Sequence, residues 1–422
     1  MNDQPQGVDL NNTLIDGPVQ PQERIEVLDV IRGFALLGIL IVNMAYFSYP
    51  LMYLEILGRE MWTAASDKAV FAVINLFIEG KFYSMFSFLF GLGFVIFIER
   101  ARARSSRPTL LFYRRLFILL LIGLVHAFFI WFGDILVSYA LLGLLLPLFF
   151  NRKPKTILIW IAVFFFIAVL PVALMVLSTG LLDEAGYAAY MQEFFAVMES
   201  KVDNSLYAYS QGTFAELMAQ RVEDTLFTYN YFFFVAPLIF PMFLLGLYAG
   251  KRGVFQNIEA NLPSIKRIWK WSLIIGFTMS IVKYTSKLQI DPVTASFYDL
   301  INMGARVFAD PGLSVFYMTS IVLLYQNRQW MERLKPLAYV GRMALSNYLF
   351  QSMVCTTIFY SYGLGLYGQV GHAAGMVLTI TIFTAQIFIS RYWLERYRFG
   401  PMEWVWRTLT YGKLSGMKLR SR

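Results

Sequence analysis

The chain has 422 residues, of which 58% are hydrophobic, 17% aromatic and only 15% charged, with a net charge of +9. Soluble domains carry about a quarter charged residues, so the composition excludes a soluble globular protein and predicts an all-α, polytopic transmembrane helical bundle whose main partner is the lipid bilayer. The basic residues fall in short loops between apolar runs, as orientation signals do, which argues against nucleic acid as a partner despite the positive charge.

Residues 1–23 are polar, contain Pro18 and Pro21, and read as a flexible cytoplasmic tail. The first span, near 28–47, carries Asp29, Arg32, Gly33, Leu36, Leu40 and Asn43 at steps of three and four, so its polar groups share one stripe about 21 Å long. Polar groups persist in a bilayer where they face other helices or a watery cavity, so this helix is expected to line something. Residues 48–65 read as an outside loop. The apolar stretch 66–79 is too short to cross upright and is expected to be interfacial or re-entrant.

Further spans are expected near 82–99, 115–132, 134–150, 156–178, 228–250, 271–284, 309–325, 338–360 and 373–390. That makes about ten spans in one transmembrane domain over 24–390, or eleven if 66–79 crosses. Between Arg100 and Arg115 stand six arginines beside one acid, Glu99, whereas 179–227 is rich in acids. The asymmetry places the first segment and both termini in the cytoplasm, and 391–422 reads as a basic cytoplasmic tail.

One cysteine, Cys355, and two histidines, His126 and His372, are a poor stock of metal ligands, so neither a metal nor a tightly bound cofactor is expected. Gly246 to Lys251 is one residue short of a phosphate loop, and Gly246 and Gly250 read as helix contacts. His126 is the histidine well inside a span, and it suits either a helix-bridging hydrogen bond or general-base chemistry on an alcohol or amine. Asp134 follows eight residues later, about 12 Å along a helix, so a direct pair requires the chain to turn at Gly133. Asp29 and Arg32 read as an anchoring ion pair or as a receiver for phosphate or carboxylate. Asn43 is either helix glue or a donor to a carbonyl oxygen. Arg342, Ser346, Asn347 and Gln351 interrupt the ninth span, joining helices or lining a cavity opposite the first. Glu79 and Lys81, at the outer mouth of the second crossing, read as exposed interface charges or as further cavity lining, and His372 reads as an exposed histidine in an outer turn.

LDVIRGFALLGILIVNM, KFYSMFSFLFGLGF, RRLFILLLIGLVHAFFIWFGDIL, PLAYVGRMALSNYLFQS and RFGPMEWVWRTLTYGK resemble the bacterial YeiB-like family of multispanning proteins bearing a domain of unknown function. The resemblance covers nearly the whole chain after residue 23 and implies a bacterial cytoplasmic (inner) membrane location. Through Leu28, Asp29, Arg32, Gly33, Ala35, Leu36 and the Val42-Asn43 pair, the first span is also similar to a wider transmembrane acyltransferase superfamily that includes the lysosomal heparan N-acetyltransferases. Those enzymes move an acyl group from acyl-CoA on the cytoplasmic side to a sugar on the far side. In the heparan enzymes the asparagine is functional and a catalytic histidine follows eleven residues later, where this chain has Leu54.

That similarity implies acetyl-CoA or another acyl-CoA as co-substrate. Arg32, Arg114 and Arg115, with Asp29 beside them, would hold the CoA phosphates. Asn43 would polarise the thioester carbonyl, and His126, with Asp134 as the nearest carboxylate, would deprotonate a hydroxyl or amine acceptor for direct transfer. A small-molecule transporter or exporter and a non-catalytic membrane scaffold are the rival readings, and a homodimer is compatible with either.

Overall fold

A computed structural model describes residues 24–103, 106–179, 184–414 and 416–418. The N-terminal tail expected over 1–23 lies outside the described residues. In chain order the helices are α1 (Glu26–Ser48), α2 (Leu51–Ile56), α3 (Ala65–Phe77), α4 (Lys81–Arg102), α5 (Pro108–Val125), α6 (Leu136–Gly143), α7 (Leu146–Phe150), α8 (Pro154–Ser178) and α9 (Glu184–Ser210). They continue as α10 (Phe214–Asn230), α11 (Phe232–Lys251), α12 (Ile258–Lys287), α13 (Phe297–Leu324), α14 (Arg328–Arg342), α15 (Ala344–Phe359), α16 (His372–Leu394) and α17 (Pro401–Tyr411). A π-helical turn, His126–Ile130, prolongs α5. The fold is all-α; among the described residues the one β-type pairing is an isolated bridge between Tyr397 and Lys418.

Among the described residues, seven stretches are long and apolar enough to cross a membrane: Glu26–Ser48, Ala65–Arg102, Pro108–Ile130, Pro154–Ser178, Phe232–Lys251, Phe297–Leu324 and His372–Leu394. The protein is therefore a multi-pass membrane protein. The expected spans near 134–150, 271–284 and 338–360 take other forms. The first divides into α6 and α7, and the second is the latter half of the 30-residue α12. The third breaks at Met343, between α14 and α15. Within Ala65–Arg102 the path bends at Ile78–Gly80, where Gly80 has φ +86°, so the 13-residue α3 is a separate short helix. Within the acidic stretch 179–227 the chain forms a helical hairpin, α9 and α10, whose turn is fixed by the capping box of Thr213 and Glu216.

The apolar window of α1 is 61% buried by protein and that of α8 only 11%. A helix that is apolar all round and barely covered faces lipid, so α8 is peripheral and α1 central. Around α1 pack residues of α4, α14, α15 and α16 in the main core cluster, while α4, α5, α6, α8 and α11 build a second. Helices α1 and α14 cross in close contact. A Cβ on Gly33 would lie 2.0 Å from the Leu337 carbonyl oxygen, and one on Gly341 would lie 1.9 Å from that of Asp29. Only glycine permits such a crossing, and the crossing sets Arg342 beside Asp29 and Arg32.

Candidate active site

The buried polar centre grows out of the end of α5. Its last turn is π-helical, Trp131 is extended at φ −159°, and the chain turns through Gly133 into α6. This fold-back replaces the helical separation of His126 and Asp134 by a hydrogen bond of 2.7 Å from His126 Nδ1 to Asp134 Oδ2. The other carboxylate oxygen, Oδ1, accepts the Val137 backbone N–H at 2.8 Å, so Asp134 also caps the first turn of α6. From α15, 226 residues on in sequence, Ser352 Oγ lies 2.9 Å from His126 Nε2. A carboxylate only accepts, so Nδ1 carries a proton, and in the neutral imidazole Nε2 is left to accept the Ser352 hydroxyl, which also lies 3.4 Å from the Tyr348 carbonyl oxygen. His126 and Ser352 are wholly buried. Asp134, His126 and Ser352 thus form a buried carboxylate–imidazole–hydroxyl chain.

Neighbouring side chains fix this chain. The Tyr348 hydroxyl donates to the Gly133 carbonyl at 3.3 Å, and its ring centre lies 5.1 Å from that of His126. Trp131 packs on Phe47 of α1 with ring centres 4.0 Å apart. Asn43 sits one turn before Phe47, half-buried, and has no hydrogen-bond partner among the described residues.

Tyr348 is also part of the wall of a cavity of about 390 Å³. The wall also includes Ile135, which directly follows Asp134, and Leu136, Tyr139 and Leu345, whereas His126, Asp134 and Ser352 are not themselves part of it. One end is lined by Arg24, Arg32, Arg100, Arg115, Arg342 and Arg407 against the carboxylates Asp29 and Glu403. Asp29 is taken up by Arg24 at 2.5 Å and Arg32 at 2.7 Å. Among the described residues, Arg115, Arg342 and Arg407 make no ion pair. The Arg115 guanidinium instead lies 3.9 Å over the Trp406 ring, and burial pulls the Arg407 pKa below its ordinary value. This mouth has an excess of positive charge in a partly dry setting, where an anion is held more strongly than in water.

The chain from 391, expected as a tail, closes this mouth. Helix α17 starts with Pro401 and ends at Gly412, whose φ is +68°, the start and stop signals of a short helix. Glu403 reaches from it to the first turn of α15. It accepts the Leu345 N–H at 2.7 Å, the Ser346 N–H at 3.2 Å and the Ser346 hydroxyl at 2.5 Å. Burial raises the Glu403 pKa while these hydrogen bonds oppose the rise.

Of the expected residues, His126 and Asp134 come together, and Asp29, Arg32, Arg115 and Arg342 line the cavity. Arg114 is exposed and lies beside Gly412, outside the cavity wall. Asn347 and Gln351 do not line it either. Asn347 donates to Val340 O and Ser390, and Gln351 to Gln386, so both tie α15 to its neighbours. Ser346 is spent on Glu403. His372 is half-buried, 3.1 Å from the Tyr49 hydroxyl, where an exposed side chain was expected.

Glu79 and Lys81 are not exposed interface charges facing this cavity. Lys81 is fully buried, 3.3 Å from Asp310. Lys283 at 3.3 Å and Arg306 at 3.4 Å converge on the same carboxylate, and Glu79 lies close enough to interact with all three cations. This second cluster ties the bend before α4 to the α12–α13 hairpin. Ser352, Glu403 and Arg407 were not singled out in the sequence. Ser352 closes the motif PLAYVGRMALSNYLFQS, but nothing local distinguishes a nucleophile from another small helix-packing serine.

Fold and site define a multi-pass α-helical membrane protein with a buried carboxylate–imidazole–hydroxyl chain behind the wall of an arginine-mouthed cavity. The family model described as "Protein of unknown function (DUF418)" matches residues 249–413, which include Arg342, Ser352, Glu403 and Arg407. Uncharacterized protein YxaH of Bacillus subtilis (strain 168) is 40% identical over 410 residues, covering 93% of this chain and 96% of its own. An uncharacterized 39.9 kDa protein in the amylase 3' region of Bacillus acidopullulyticus is 28% identical, covering 94% and 96% of the two chains. Uncharacterized protein YeiB of Escherichia coli (strain K12) is 28% identical, covering 92% and 96%. The chain belongs to the DUF418 family of YeiB-like membrane proteins.

Proposed function

We propose that this protein is a transmembrane acyltransferase of the bacterial inner membrane that moves an acyl group from acyl-CoA to a hydroxyl or amine acceptor such as a sugar. One observation carries the reading: the Asp134–His126–Ser352 hydrogen-bond chain lies behind Ile135 and Tyr348, which line a cavity that also gathers arginines. The arginine mouth, on the cytoplasmic side, holds the donor phosphates, with Arg115, Arg342 and Arg407 joining Arg32. The thioester lies in the apolar part and reaches Ser352 past the Tyr348 ring.

Ser352 changes the expected direct transfer into two steps. Its Oγ attacks the thioester carbonyl as the hydroxyl proton passes to His126 Nε2. The C–S bond breaks, the thiolate takes that proton, and an acyl ester remains on Ser352. The acceptor hydroxyl or amine then gives its proton to His126 and attacks the ester, and the proton returns to Ser352 Oγ. Asp134 holds the imidazole tautomer and balances the imidazolium that forms in each step. Asn43, whose amide is free and whose helix face looks towards Trp131, serves as donor to the developing oxyanion.

The test is to incubate the purified protein with acetyl-CoA and measure its intact mass and peptides. An acetyl group on Ser352, absent in Ser352→Ala and His126→Ala, is the expected result; failure of acetyl-CoA to bind or label in both detergent and nanodiscs would sink the reading. Ion-coupled transport is the second reading, favoured by the buried Lys81, Lys283, Arg306 and Asp310 cluster. Substrate flux in proteoliposomes that survives Ser352→Ala but not Asp310→Asn would select it.

A further inference from the structure

Arg221 of α10 is 1% exposed and, among the described residues, makes no ion pair. Its Nη1 donates to the Phe129 carbonyl at 2.6 Å, whereas Nε and Nη2 are buried without any partner. Those two nitrogens form one edge of the guanidinium, the edge that takes both oxygens of a carboxylate or phosphate side by side. A charge withdrawn from water with that edge unmet is costly, and a bound oxyanion is what would meet it.

The nearest carboxylate on the same helix does not serve. Asp224 is already held by the hydroxyls of Tyr53 at 2.6 Å and Tyr209 at 2.7 Å and by Gln220 at 2.8 Å. Burial also raises its pKa, which weakens it as a counter-charge. Arg221 instead faces Tyr360, whose ring centre lies 5.6 Å from the guanidinium carbon and whose own hydroxyl is buried without a partner. Position adds the functional link. Phe129 belongs to the π-helical turn that begins at His126, and Thr225, one turn along α10, donates to Ala127 of the same turn at 3.1 Å. Tyr360 directly follows the helix that carries Ser352. Arg221 therefore bridges the two segments that supply the base and the hydroxyl.

We infer that Arg221, with Tyr360 beside it, is an oxyanion subsite that binds a carboxylate or phosphate group of the acyl acceptor. Calling the anion part of the acceptor rests on the acyl-transfer reading; binding of the anion does not. The experiment measures thermal unfolding of the full-length protein in detergent with sodium glucuronate, glycerol phosphate or inorganic phosphate, against chloride at equal ionic strength. The expected result is a saturable rise in midpoint of several degrees with glucuronate, glycerol phosphate or both, lost in Arg221→Gln and kept in Ser352→Ala. A response to glucuronate assigns a carboxylate, and one to glycerol phosphate assigns a phosphate ester. A response to inorganic phosphate alone means an adventitious ion only and overturns the inference, as does no shift or a shift unchanged in Arg221→Gln. Should that variant fail to fold, a cryo-EM map of the wild-type protein with the organic anion replaces it: density on the Nε–Nη2 edge supports the subsite, and an empty edge overturns it. Acetyl-Ser352 forming without any anion response would remove this inference alone, whereas an anion response without acetylation would remove the acyl-transfer reading and leave the subsite.

Discussion

Two buried polar clusters share this bundle and differ in kind. Around Asp310, the cations Lys81, Lys283 and Arg306 converge on one carboxylate. Around His126, the groups are strung in series, each bonded to the next through a different atom, and they lie behind Ile135 and Tyr348 of the cavity wall. Convergent charges hold helices in place, because removing the shared carboxylate leaves its cations facing one another in a dry interior. A series of hydrogen bonds suits proton transfer at its centre, because His126 can exchange a proton with Ser352 at Nε2 while Nδ1 stays bonded to Asp134. Buried polarity inside this membrane domain thus takes two forms, and the order of the groups separates them.

Substitution can break this contrast. The largest expected effect is on turnover: Ser352→Ala and His126→Ala should each lower acyl transfer by about a thousandfold or more, with Asp134→Asn close behind. The unfolding midpoint of Ser352→Ala should stay near that of the wild-type protein in fluorescence-detected thermal melts, whereas His126→Ala, which leaves the buried Asp134 carboxylate short of a partner, should lower it. In the other cluster, Asp310→Asn should cost about 3–5 kcal/mol of stability, visible as lost monodisperse yield in size-exclusion chromatography, while whatever folds keeps its specific activity. Equal losses of activity per folded molecule in both clusters would erase the distinction.

At the arginine mouth the effects are smaller. Arg342→Gln and Arg407→Gln should each weaken acyl-CoA binding about tenfold, in keeping with about 1.5–3 kcal/mol for a hydrogen bond to a charged group. Titration calorimetry at two salt concentrations checks this, since the loss should shrink as salt rises. The smallest effect belongs to Glu403. Its pKa is raised in the folded protein above the ordinary glutamate value of 4.5, so folding favours the protonated form. Its contribution to stability is therefore full below that value and is lost as pH rises through the raised folded value. Unfolding midpoints of wild type and Glu403→Gln across that range should diverge by a slope that only the wild type shows.

Much of the architecture is legible without coordinates. Long apolar runs force helices, because a backbone in lipid must satisfy its own hydrogen bonds. The three-and-four spacing of Asp29, Arg32 and Asn43 marks α1 as a helix with a polar face, and the arginines of separate loops mark one end of the bundle. Local pattern reports which face of a helix is buried, and that is where it stops. The pairing of His126 with Asp134 depends on a π-helical turn and an extended Trp131, neither of which hydrophobic periodicity encodes. Ser352 joins them from the far end of the sequence, brought in by the packing of α15. The break at Met343 and the return of α17, which supply Arg407 and Glu403 to the cavity, likewise exist only once the helices are assembled. Sequence alone determined that this chain spans a membrane and where its charges gather; tertiary structure alone decided which of its buried polar groups meet, because hydrogen bonds of under 3 Å between distant segments are set by long-range packing.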